Sequence, residues 1–207
     1  MAGLDIVLDT LFNNPALPVV PILGFSDNFN RADGALGYTS GENKPWTFSA
    51  YPGTDVQAVI SGNRMSWTGT TQYTVAHVDA GAANGTLKAT LAVVDSAAGM
   101  RIAARVTNAT NMILVRPDNT AGAEKLTLVK MISGTQTTVA TSGTLGSLTG
   151  SVIEVVLNGT SISVKRNGVQ VISPQTVTEL ATNTKHGVFI NTGSPSARMD
   201  DVSFVAL

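Results

Sequence analysis

From Phe25 to the C-terminus, apolar and polar residues alternate in short runs, and turn-forming residues separate one run from the next. A period of two marks strands that bury one face, so this part of the chain is predicted to be all-β. Strands are predicted at Trp46–Tyr51, Val56–Ile60, Arg64–Trp67, Tyr73–His77, Thr86–Val94, Met100–Val106 and Asn111–Arg116. Further strands follow at Lys125–Ser133, Gln136–Thr141, Val152–Leu157, Ser161–Arg166, Val169–Ser173, His186–Ile190 and Arg198–Val205. Asn84-Gly85, Asn158-Gly159 and Asn167-Gly168 supply the positive φ angles of tight hairpins. The last two flank Ser161–Arg166, which predicts a three-strand meander with Ile162 and Val164 on one face. Only Thr178–Thr184 hints at a short helix.

The first 24 residues read differently. Gly3–Asn13 is nearly all apolar apart from Asp5, Asp9 and Thr10, a pattern open to either a helix with both Asp on one face or a strand. Pro15, Pro18 and Pro21 then forbid helix and central strand, so the chain runs extended towards Gly24. Leu4, Ile6, Leu8, Leu11, Phe12, Leu17, Val19, Ile22 and Leu23 would be costly in water and suit an arm lying along another subunit. Wrapping its own domain is the alternative. The organisation expected is an anchoring arm over residues 1–24 and one β-domain over residues 25–207.

The two ends of that domain match. Ser26–Gly37 and Arg198–Leu207 each set an Asp beside an aromatic-bearing extended segment, as neighbouring first and last strands of one sheet would. The fold class expected is an antiparallel jelly-roll β-sandwich.

Composition narrows the partners. Charged residues are 13% and the formal net charge is -1, which gives no field to attract nucleic acid or anionic lipid. Cysteine is absent, which removes disulfides, thiolate metal sites and thiol nucleophiles. No apolar run reaches the roughly 18 residues of a membrane span. Met1–Asp5 lacks the basic stretch of a signal peptide, so release by lysis inside a virus particle is expected over ordinary secretion.

Two stretches resemble known families. Val152–Val171, followed by His186–Ile190 and Met199–Phe204, resembles the strand–turn–strand signature of concanavalin A-like and laminin-G-like jelly rolls. The run Asp27–Gly34, with Leu36-Gly37 and Trp46, is similar to the start of lectin-like virion proteins, minor tail proteins of phages infecting actinobacteria. That resemblance implies a structural or adhesive virion role. Fold alone does not fix function.

Candidate chemistry is sparse. Glucanases of this fold carry a Glu-x-Asp-x-x-Glu cluster, because one carboxyl must donate a proton while the other attacks or activates water. The chain has no such cluster: Glu42, Glu124, Glu154 and Glu179 stand apart. His77 and His186 sit in separate strands without a motif and read as sheet histidines. Calcium is a candidate ligand where first and last strands meet, through Asp27, Asp200 and Asp201, with Asp33 near; simple turn-capping is the alternative. For stacking on a sugar ring, Tyr38, Trp46 and Tyr51 are the candidates. The expectation is a non-enzymatic virion protein, a minor tail or tail-tip component, present as a homo-oligomer among other virion subunits. The alternatives are a capsid decoration protein and an adhesin module for host cell-wall glycan.

Overall fold

The computed structural model describes residues 23–70, 73–95, 99–120, 123–191 and 196–207. Leu4, Ile6, Leu8, Leu11, Phe12, Leu17, Val19 and Ile22 lie outside the described residues. The strands, in chain order, are β1 (Gly24–Asp27), β2 (Gly34–Ala35), β3 (Thr47–Ala50), β4 (Gln57–Ile60), β5 (Met65–Thr68), β6 (Tyr73–Asp79), β7 (Gly85–Val93) and β8 (Met100–Asn108). They continue with β9 (Asn111–Asp118), β10 (Lys125–Ile132), β11 (Thr135–Thr141), β12 (Ser151–Asn158), β13 (Ser161–Arg166), β14 (Val169–Thr176), β15 (Lys185–Asn191) and β16 (Arg198–Ala206).

They form two antiparallel sheets. A nine-stranded sheet runs β14-β13-β12-β7-β16-β5-β4-β2, with β1 also on β16, and a seven-stranded sheet runs β11-β10-β9-β8-β15-β6-β3. Together they make a jelly-roll sandwich. The meander β12-β13-β14 is the one that the Asn-Gly turns predict, with Ile162 and Val164 both fully buried. At its second turn Asn167 and Gly168 have φ of 49° and 80°, the pair of left-handed residues that closes a two-residue hairpin.

Alternation decides which side chains fill the interior. Ile102, Ala104, Ile113, Val115, Val188 and Ile190 of the seven-stranded sheet meet Leu87, Ile153, Val155, Leu157 and Phe204 of the other sheet in one core. Their alternate neighbours, Val75, Ala103, Met112, Leu114, Val129, Met131 and Phe189, form a second buried cluster on the far face of the seven-stranded sheet. Apolar area removed from water is worth about 25 cal/mol per Å², so both layers hold the sheet together.

Two expectations need correction. Thr178–Thr184 is a turn, not a helix: Leu180 has φ of 61°, outside the right-handed helical region, and Glu179 is held by Lys130 at 2.5 Å. Asn84-Gly85 is not a hairpin, because it carries the chain from β6 in one sheet to β7 in the other. Asn84 instead accepts hydrogen bonds through Oδ1 from Arg105 Nη2 (3.2 Å) and Gly159 N (3.0 Å). The first strand begins at Gly24, whose N–H donates to the Ala80 carbonyl at 2.8 Å.

Candidate functional site

The first and last strands are neighbours: β1 pairs with β16 through Gly24–Val205, Phe25–Phe204, Ser26–Ser203 and Asp27–Val202. The earlier half of β16 meets β5 instead, through Met199 and Met65. Between these partners β16 bulges around Asp201, whose φ is 47°. A cleft of about 430 Å³ opens at that break, lined by Ser26, Asp27, Asn28, Ser40, Gly41, Asp201, Val202 and Ser203.

Local bonds shape the cleft. Gly41 N donates to the Ser26 carbonyl (2.9 Å), Asn28 N to Ser40 Oγ (3.1 Å), and Ser26 N to Glu42 Oε2 (2.5 Å), which folds the 37–46 loop against β1. A Cβ at Gly41 would stand 2.1 Å from Ser26 Oγ and 3.3 Å from the Ser26 carbonyl oxygen, so a larger residue there would turn the Ser26 hydroxyl away. The aromatic ring of Tyr38 on the same loop is 57% exposed.

The structure gives Asp27 a different task from the metal ligation expected of it. Its Oδ1 accepts from Phe29 N (3.0 Å) and Arg31 Nη1 (2.6 Å), and its Oδ2 from Arg31 Nη2 (3.0 Å) and Trp46 Nε1 (2.7 Å). A buried carboxylate neutralised by a bidentate Arg has no lone pair turned to a cation. Asp200 stands 4.0 Å from Arg64, and its carboxyl pKa is raised by burial and by the charges of Asp201 and Asp27. Among the described residues no group of three or more His, Asp or Glu is placed to hold a metal. Asp27 and Asp201 line the same cleft, but with both Asp27 oxygens engaged the donor set does not fit calcium.

Trp46 is also corrected. It is 5% exposed, packs against Phe25 and Phe29 at 5.9 and 6.0 Å between ring centroids, and has its N–H bound to Asp27, so no ligand can stack on it. Tyr51 belongs elsewhere, in an aromatic file on the far face of the seven-stranded sheet: Tyr51 to Tyr73 at 4.7 Å and Tyr73 to Phe189 at 5.2 Å.

The same face carries side chains that the sequence reading did not single out. Arg101 lies over the Phe189 ring at 5.3 Å and reaches across β9 and β10 to donate from Nη1 to Gln136 Oε1 on β11 at 3.0 Å. The register that sets Ile102 opposite Val115 places Arg116 beside Arg101. Burial, and then the Arg116 charge, lowers the Arg101 pKa to about 10. Nearer the edge of the sheet, His77 bonds Thr47 Oγ1 (2.9 Å) and Ser49 Oγ (3.0 Å), and burial followed by the Lys185 charge lowers its pKa to about 4.

His186 is structural. Its ring stacks on Phe204 at 4.1 Å, its Nδ1 accepts from Arg105 N (3.3 Å) and its Nε2 donates to the Ala82 carbonyl (3.1 Å). The glutamates are likewise engaged: Glu124 accepts from Leu148 N at 2.6 Å, and Glu154 pairs with Lys88 at 3.7 Å.

The chain matches no family model and, at a significant level, no curated protein sequence. Solved structures do share its fold. The carbohydrate-binding module CBM66 from Bacillus subtilis aligns with a TM-score of 0.54 at 13% identity, covering 77% of this chain and 95% of the module. Domain 4 of AbnA, an extracellular GH43 arabinanase from Geobacillus stearothermophilus solved with arabinotriose, gives 0.51 at 13% identity, covering 89% and 92%. LamAcat from Zobellia galactanivorans gives 0.50 at 10% identity, covering 87% and 94%. At such identities the likeness establishes a common fold, the concanavalin A-like jelly roll of carbohydrate-binding modules and glycoside hydrolase domains.

Proposed function

We propose that this chain is a non-enzymatic, lectin-like glycan-binding domain whose ligand seats in the cleft between β1 and β16. The observation that carries the reading is the cleft itself: the polar residues Ser26, Asn28, Ser40, Asp201 and Ser203 line one open hollow. Such a set donates and accepts in alternation, as the hydroxyls of a pyranose or furanose require. Tyr38, two residues before Ser40 on the loop that forms one wall, lies outside the cleft lining but is exposed and so open to a ligand that extends beyond the cleft. Two of the structural neighbours are a carbohydrate-binding module and a domain solved with arabinotriose, which supports the same ligand class.

Binding rather than hydrolysis is favoured by where the carboxylates stand. The far face of the seven-stranded sheet carries Arg101 and Arg116 at its centre, while its acids, Asp79 and Asp118, sit at strand ends. Asp79 there accepts from Thr184 Oγ1 (2.7 Å) and Asp118 from Thr120 Oγ1 (2.9 Å). Strands β8 and β15 lie between these two acids, so among the described residues of this face they do not flank one scissile bond in the manner glycoside hydrolysis needs.

The setting we propose is a phage virion, with the domain as a minor tail or tail-tip component; capsid decoration is the second reading. Asp27–Gly37 and Trp46 support it through their similarity to lectin-like virion proteins. Direct titration with neutral oligosaccharides tests the binding claim: Asn28→Ala and Tyr38→Ala should each weaken affinity about tenfold with unchanged melting temperature. Equal affinity in both variants would remove the cleft from consideration. Incorporation into particles should be lost when residues 1–22 are deleted; normal assembly without them would sink the anchoring arm.

A further inference from the structure

We infer that the far face of the seven-stranded sheet holds a second, separate binding site, built on Arg101 and Arg116 and selective for a carboxylate-bearing saccharide. Arg101 is 5% exposed, yet it pairs with no carboxylate among the described residues. Its Nη1 is spent on Gln136, and its Nε is buried with no hydrogen-bond partner. The edge left over, Nε with Nη2, is the planar fork that receives the two oxygens of a carboxylate in parallel. Arg116, the adjacent cross-strand residue, also has a buried Nε without a partner.

A buried guanidinium beside a second, half-buried one, with no salt bridge to either among the described residues, is held at an energetic cost that an anion would relieve. A purely structural role gives no reason for the second arginine: Thr127, Leu114 and Val129 around it bury without charge. The ring platform needed for a saccharide is on the same face. Tyr51 and Tyr73 lie half-buried in file with Phe189, and it is the Phe189 ring that the Arg101 guanidinium covers. A carboxylate on the fork would set a sugar ring beside these aromatics.

This site is independent of the cleft, which lies in the other sheet, so either can fail alone. The test is calorimetric titration of the full chain with three oligosaccharides of equal length: oligogalacturonate, a sulfated galactan fragment and an uncharged galactan fragment. Wild-type protein should bind oligogalacturonate best, with affinity falling as salt rises. Arg116→Gln and Arg101→Met should each weaken that binding roughly tenfold or more. Because Arg101→Met removes a buried charge, its melting temperature should be equal or higher, which separates lost binding from lost folding. Equal binding of charged and uncharged oligomers, preference for the sulfated one, or unchanged affinity in Arg116→Gln would each overturn the proposal.

Discussion

At the scale of single residues, the same chemical type serves opposite ends according to its partners. Asp27 looks like a metal ligand in sequence and is a buried clamp in the fold, joining Phe29, Arg31 and Trp46. Asp27→Ala would leave the Arg31 guanidinium and the Trp46 N–H without their acceptor, and should cost about 3 kcal/mol in chemical denaturation. A loss under about 0.5 kcal/mol would show that the clamp does not hold the opening loop. Both histidines are neutral in the fold, with pKa lowered to about 4 by burial. An unfolded His takes its proton near 6.5, so between about 6.5 and 4 the unfolded state binds more protons and stability falls as pH falls. Thermal melts should show a plateau above pH 7 and a decline on acidification through that window, less steep in His186→Gln. An identical slope in the variant would contradict a buried neutral His186.

At the scale of elements, what the sequence makes legible depends on how local the determinant is. The meander β12-β13-β14 could be read directly, since Gly159 and the pair Asn167-Gly168 take the left-handed φ angles of its turns, although Asn158 itself ends β12 and pairs with Ser161. The pairing of β1 with β16 was legible too, from matched Asp and aromatic positions at the two ends. The Arg101–Arg116 pair was not. It depends on β8 lying between β9 and β15, a register that joins Phe189 to Arg101 across a long stretch of chain. Trp46 misled for a related reason: its exposure is decided by Phe25, Phe29 and Asp27, not by its own neighbours in sequence. Gly187 shows how closely such register is set. A Cβ there would stand 2.1 Å from the Ala76 carbonyl oxygen and 2.8 Å from His77 Cα, both backbone atoms of the adjoining strand. Gly187→Ala should therefore part β15 from β6 and abolish soluble folded protein; a variant with wild-type melting behaviour would refute that strand contact.

At the scale of the whole molecule, two sheets present two unlike surfaces. The nine-stranded sheet opens a polar cleft where β16 exchanges β5 for β1, and the seven-stranded sheet carries a buried apolar cluster with two adjacent arginines on its far face. A sandwich can offer both because its core lies between the sheets and leaves the strand breaks and far faces free to vary. The central claim is that the cleft receives a glycan. Amide chemical-shift mapping of the full chain during titration with arabino- and gluco-oligosaccharides tests it most directly. The account predicts saturable shifts confined to Ser26, Asn28, Ser40, Gly41 and the Asp201–Ser203 stretch. Shifts that leave these amides unmoved, or no response to any neutral oligosaccharide, would contradict it.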